Sequence, residues 1–169
     1  MSLSRALTDE FRERVAQGHG DMGIDFSIMA LGANFWPLGA PDGGFNIPAE
    51  ISPLYNRFSE YHRRKHPREK LVWLWDHSQN ELRTNYLDQE YTLMASSYQM
   101  AILLQYNDRD TLTLDELVTA TAIDKFVMMW VLVGLVKGKI LIKKAKNRYE
   151  LNLGNFFLHL YDHATEPRP

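Results

Sequence analysis

The sequence predicts an α+β fold in which a small α/β domain, a β-sheet with one helix packed on it, is followed by a winged-helix domain. Three observations predict it. Short apolar runs with strand character crowd the first half. Helical spacing takes over from about residue 97. A basic hairpin then follows the last helix.

Leu7, Phe11 and Val15 recur four residues apart with charges between them, so the chain opens on a helix that looks like the end of a longer one. Ile24 to Leu31 (IDFSIMAL) lies between Gly23 and Gly32 and reads as a buried strand. Residues 32–48 are rich in Gly and Pro and form a loop, with Trp36 as its anchor. Ser52 and Pro53 supply an N-cap and a first helical position, and Leu54, Phe58 and Tyr61 mark one apolar face until His66-Pro67 ends the helix. Lys70 to Trp75 and Glu81 to Tyr86 are strands on either side of the polar turn 76–80, and Tyr91 to Ala95 is another.

Tyr98 to Tyr106 is apolar nearly all round, as a central buried helix should be. Thr113 and Glu116 form a capping box for a short helix ending near Thr121. A third helix runs from Asp124 to Val136, with Gly138 suited to a left-handed cap. Lys139 to Lys144 and Arg148 to Leu153 pair across Ala145-Lys146-Asn147. Helix, helix-turn-helix and hairpin in this order make a winged helix.

With 169 residues, of which 45% are hydrophobic and 24% charged, the chain has an ordinary globular composition. A formal net charge of -2 gives no global positive field for nucleic acid, so such binding needs a local patch. There are no cysteines, which excludes disulfides, thiolate zinc sites and a cysteine nucleophile and suits a reducing compartment. The longest apolar run, Phe126 to Val136, is well short of the ~20 residues of a membrane span. There is no signal-peptide pattern, and Met1-Ser2-Leu3 reads as an expression scar. These features describe a soluble intracellular protein.

The block YTLMASSYQMAILLQYN, from Tyr91 to Asn107, resembles the cullin homology region. So do Phe35-Trp36-Pro37 after IDFSIMAL, the helix from Arg57-Phe58 to Lys65-His66, Lys70 to Leu74, and Leu135 to Leu141. The match keeps its order from about Leu7 to Tyr161 and is most similar to the cullin-1 type, the scaffold of Skp1–F-box ubiquitin ligases. The resemblance implies the end of a helical bundle over residues 1–20, a cullin α/β domain over 21–96, a winged-helix domain over 97–163 and a tail over 164–169. It also implies that adaptor-binding repeats and a NEDD8-accepting winged helix lie elsewhere in a longer protein, of which this chain is an excised piece. A location in cytoplasm and nucleus follows.

The resemblance further implies a non-catalytic scaffold, needing no cofactor, whose partners are a RING-box protein, an E2 ubiquitin-conjugating enzyme and the remaining cullin domains. A RING-box segment would add a strand to the sheet, with Phe26, Ile28, Trp36, Leu71, Trp73 and Trp75 lining the joint. Those side chains serve equally well as the domain's own core. Arg63, Arg64, Lys65, Arg68 and Lys70, with His66, would steer the acidic tail of the E2. The same cations also suit a solvated helix C-terminus.

The alternative is a winged-helix nucleic-acid-binding regulator, favoured by Lys143, Lys144, Lys146 and Arg148 in the wing. Groove reading needs polar side chains on the third helix, yet with Met128, Leu132, Leu135 and Val136 facing the core its outer side presents Met129, Trp130 and Val133. Members of the cullin family usually carry polar residues there. His62 with His66, and His159 with His163, have two-histidine metal spacing without a third ligand. Asp76-His77-Ser78 holds triad residue types in a turn that cannot converge them.

Overall fold

The computed structural model describes residues 3–17, 24, 27–31, 43–84 and 91–153. The chain divides into two compact units, one comprising Met1–Ala40 and Ala49–Trp73, the other Pro41–Pro48 and Leu74–Pro169. The dividing point falls between Trp73 and Leu74, inside the 21–96 segment.

In the first unit, α1 (Leu3–Gln17) and α2 (Ser52–Lys65) bury the faces that their spacing foretold. Leu7 and Phe11 of α1 join Leu54, Phe58 and Tyr61 of α2 in one core, flanked by Val15, Ile28, Leu71 and Trp73. The Phe11 ring stands edge-on to Phe58 with centroids 5.2 Å apart, a favoured aromatic geometry. α2 is capped differently from the expectation. Ile51 holds the N-cap position without a side-chain bond, and Ser52 lies within the helix, its hydroxyl accepting from the Asn56 amide at 3.3 Å. Pro53 is tolerated because the first-turn amides have no helical partner.

Two expected strands are corrected here. No strand forms over the described part of Ile24 to Leu31, or over Lys70 to Trp75. An alternating pattern gives a residue two faces, but a strand also requires a partner with matching register, which these segments lack among the described residues. Ile28 is held instead by a side chain: its amide donates to the Thr8 hydroxyl at 3.1 Å, and that hydroxyl donates to the Ile28 carbonyl at 3.2 Å. Trp75 opens a short 3-10 turn, Trp75–His77.

The second unit holds both observed sheets. β1 (Gln79–Arg83) pairs antiparallel with β2 (Thr92–Ser96) in the register Gln79 to Ser96 through Arg83 to Thr92. β1 starts two residues before the expected Glu81, and 85–90 lie outside the described residues. α3 (Ser97–Leu104) begins at a capping box that the sequence reading missed. The Ser96 hydroxyl accepts from the Gln99 amide at 3.2 Å, while the Gln99 side-chain oxygen accepts from the Ser96 amide at 2.9 Å. Met100, Ala101 and Ile102 of α3 are buried.

From there the order is β3 (Thr111–Thr113), α4 (Leu114–Thr121), α5 (Lys125–Lys137), β4 (Leu141–Lys144) and β5 (Arg148–Leu151). The three strands pair antiparallel in the order β3-β5-β4. The foretold capping box of α4 is present: the Thr113 hydroxyl accepts from the Glu116 amide at 3.2 Å, and the Glu116 carboxylate accepts from the Thr113 amide at 2.8 Å. Those bonds hold the Glu116 carboxyl below the usual range. Asp124 caps α5 by accepting from the amides of Phe126 and Val127.

The left-handed position after α5 falls on Lys139, with φ 57°, and not on Gly138, with φ -71°. Gly138 donates to Gly134 at 2.8 Å and so still continues the helical bonding, which moves the reversal one residue on. The core of this unit gathers Ile102, Tyr106, Leu112, Leu114, Leu117, Ile123, Met128, Leu132, Leu135, Leu141 and Tyr149. Phe45 packs on it, and Asn46 donates to the carbonyls of Thr121 and Ala120 at the end of α4, which explains why Pro41–Pro48 belongs here. The Tyr106 hydroxyl donates to the Tyr149 carbonyl at 3.1 Å, and burial pushes its pKa far up.

Candidate functional site

The C-terminal turn of α2 collects His62, Arg63, Arg64 and Lys65, where exposed helix carbonyls favour cations. The cluster is partly neutralised by its own chain. Arg64 lies 3.6 Å from Glu60, one turn back. Lys65 bonds to Glu10 of α1 and donates to the Tyr61 hydroxyl at 3.2 Å. This bond holds the Glu10 carboxyl below its ordinary range and raises the Lys65 ammonium above its own. Both groups are solvent-exposed, so the tie positions side chains more than it stabilises the fold.

Arg63, Arg68 and Lys70 are exposed and make no ion pair among the described residues. They are the cations left to meet an incoming anion. Next to them a groove is lined by Asn56, Ser59, Glu60, His62, Arg63, Glu69 and Leu71. On its wall Glu69 reaches both His62, at 3.9 Å, and His66, at 3.5 Å, and the two imidazoles lie tilted to each other by 33° with centroids 5.0 Å apart. Glu69 had no role in the sequence reading, although its place three residues after His66 was visible there. Among the described residues no group of three side chains is arranged to hold a metal ion.

Burial pushes the His62 pKa down, reinforced by the charge of His66 and opposed by Glu69. A base with a depressed folded-state pKa binds protons more readily when unfolded, so its contribution to stability is present above about pH 6.5 and is lost as pH falls through the folded value. The urea midpoint is therefore expected to drop between pH 7 and 5, with a flatter profile in His62→Gln. An unchanged slope in that variant would assign the effect to another group.

Below the groove, Leu71 and Trp73 turn inward while Lys70 and Val72 are exposed, the alternation of a strand. The Trp73 ring packs on Tyr55 at 4.7 Å and Phe58 at 5.6 Å. Ile28 flanks the same core. Trp75 does not join them: it belongs to the second unit and is buried with its ring 4.9 Å from Phe45. Phe26 and Trp36 lie outside the described residues, as do His159 and His163. The sequence reading missed Tyr55, whose signal is its place three residues before Phe58 on the apolar face.

In the second unit Lys143, Lys144, Lys146 and Arg148 are exposed, with Lys144 3.5 Å from Glu150. Phe126, Met129, Trp130 and Val133 of α5 are exposed as well. His77 lies 3.5 Å from Asp76, but the Ser78 hydroxyl donates to the Leu74 carbonyl at 2.9 Å and so points away from any nucleophilic role.

These features define a mixed α+β protein whose candidate site offers charge and apolar surface for contact. The sequence profile of the Cullin alpha+beta domain matches residues 30–158. The chain is 38% identical over 146 residues to Cullin-1 of Dictyostelium discoideum, covering 84% of this chain and 19% of that protein. It is 35% identical over 145 residues to Cullin-1 of Schizosaccharomyces pombe (84% and 19%), and 28% identical over 164 residues to Cullin-3 of the same yeast (93% and 21%). The chain belongs to the cullin family. It spans about one fifth of the length of these curated relatives.

Proposed function

We propose that this chain is the part of a cullin-1-type scaffold that docks a RING-box subunit and helps position an E2 enzyme, contributing proximity and orientation to ubiquitin transfer while the covalent chemistry belongs to its partners. The observation that carries the reading is the alternation at 70–73, with Leu71 and Trp73 facing the core and Val72 exposed, in a segment that forms no strand among the described residues. Alternate side chains already seated on the core leave the other face of this segment open to a partner strand, which is how a segment of this kind would take part in β-augmentation. The order α3-β3-α4-α5-β4-β5 supports a winged helix after the α/β domain of residues 21–96. Work of this kind suits a location in cytoplasm and nucleus.

Co-expression with a RING-box protein is expected to give a one-to-one complex on size exclusion, and separate elution of the two chains would overturn the reading. Acidic-tail capture is assigned to Arg63, Arg68 and Lys70, since Arg64 and Lys65 already face Glu60 and Glu10. Replacing all three with Glu should slow E2 capture by the complex at least about tenfold at low salt, with the gap closing as salt screens the field. Equal rates for the variant and the parent would remove this assignment.

A further inference from the structure

α5 has two apolar faces, and only one is packed among the described residues of its unit. Met128, Leu132 and Leu135 are at most 1% exposed, whereas Phe126 and Trp130 are each 65% exposed, Met129 47% and Val133 45%. The exposed four recur at i, i+3, i+4 and i+7, which makes a continuous narrow seam along the helix. Phe126 and Trp130 touch edge to face, with ring centroids 6.1 Å apart. Isolated exposed hydrophobes are ordinary, but a contiguous row marks a contact surface.

Gly134 adds a second observation. Glycine inside a helix is less favourable than alanine, yet a Cβ at Gly134 would meet nothing within 4 Å. The unit's own packing does not require the glycine. What it leaves is a notch one turn beyond Trp130.

We propose that this face is a self-association surface on which two copies pair α5 antiparallel about a two-fold axis at Trp130. That register sets Phe126 of each copy into the Gly134 notch of the other and Val127 against Val133. The charges agree with it. Asp124, exposed at the N-terminal end, comes beside Lys137 at the opposite C-terminal end, and Lys137 has no ion pair among the described residues. A parallel pairing would set Lys125 against Lys125 and Lys137 against Lys137, and would align the helix dipoles unfavourably. A second copy therefore supplies knob, notch and both signs of charge, as an isologous interface demands. The seam is small beside the ~800 Å² per partner of a stable complex, so the dimer is weak, with dissociation in the micromolar range or above.

Sedimentation velocity of the whole chain, from ~10 µM to ~1 mM, tests the proposal. The weight-average sedimentation coefficient should rise across that range. Trp130→Glu should be monomeric throughout. Gly134→Ala should weaken association at least about fivefold by filling the notch, while its melting temperature stays level or rises. This second variant keeps the result decisive if Trp130→Glu misfolds. A chain that is monomeric at every concentration overturns the proposal. Association that both variants leave intact does so too, since the contact then lies on another face.

Discussion

Phe58→Ala is expected to destabilise the first unit by about 3–5 kcal/mol, the usual cost of deleting a fully enclosed aromatic ring. Phe58 is 0% exposed, and its ring touches Phe11 of α1, Tyr61 and His62 of its own helix, and Trp73 of the following segment. Its removal leaves four aromatic partners without a common surface. Rigid rings collapse poorly into a void, which puts the loss at the upper part of that range. Each core cluster draws on residues of one unit only. Hydrogen exchange should therefore show lost protection in α1 and α2 before α3 to α5. Trp73 fluorescence should shift red as its contacts with Tyr55 and Phe58 loosen. Protection lost uniformly along the chain would show that the two cores unfold as one.

Leu117→Ala should cost the second unit about 2–5 kcal/mol. Leu117 is 0% exposed on α4, a helix of eight residues packed against α3, α5 and β3. So short a helix owes its stability to tertiary packing more than to intrinsic propensity. Its start is closed by the Thr113–Glu116 box, and at its finish Ala122 takes a left-handed conformation, φ 54°, that is unfavourable for a residue with a Cβ. The buried leucine is then what a mutation can take away. Leu117→Met, which keeps the volume, should cost less than about 1.5 kcal/mol. Chemical denaturation followed by circular dichroism distinguishes the pair. A similar loss in both would point to the particular shape of the leucine side chain and away from the volume of the cavity.

The helices were more legible than the strands. Helix α2 announced itself through Leu54, Phe58 and Tyr61, and α5 through Met128, Leu132 and Leu135, because a helix satisfies its own backbone and needs only a neighbour for its apolar stripe. The hairpin β4-β5 was legible for a related reason: its two strands are joined by three residues, so the partner is local. Strand β3 was not, since Thr111–Thr113 gains its status from β5, more than thirty residues on. The candidate site was half visible. The basic run was plain in the sequence, but its division into cations held by Glu10 and Glu60 and cations left exposed was not.

The sequence alone determined the helical faces, the Thr113–Glu116 capping box, the α+β class and, through the order of its motifs, kinship with cullins. Only the tertiary structure decided that Lys70 to Trp75 is not a strand, that Trp75 and Trp73 serve different cores, and that Lys65 is engaged by Glu10. The physical reason is the range of the interactions. Helical periodicity and caps act within four residues of one another and leave a local trace, whereas ladder partners, core membership and ion pairs are chosen among groups tens of residues apart, which no local pattern encodes.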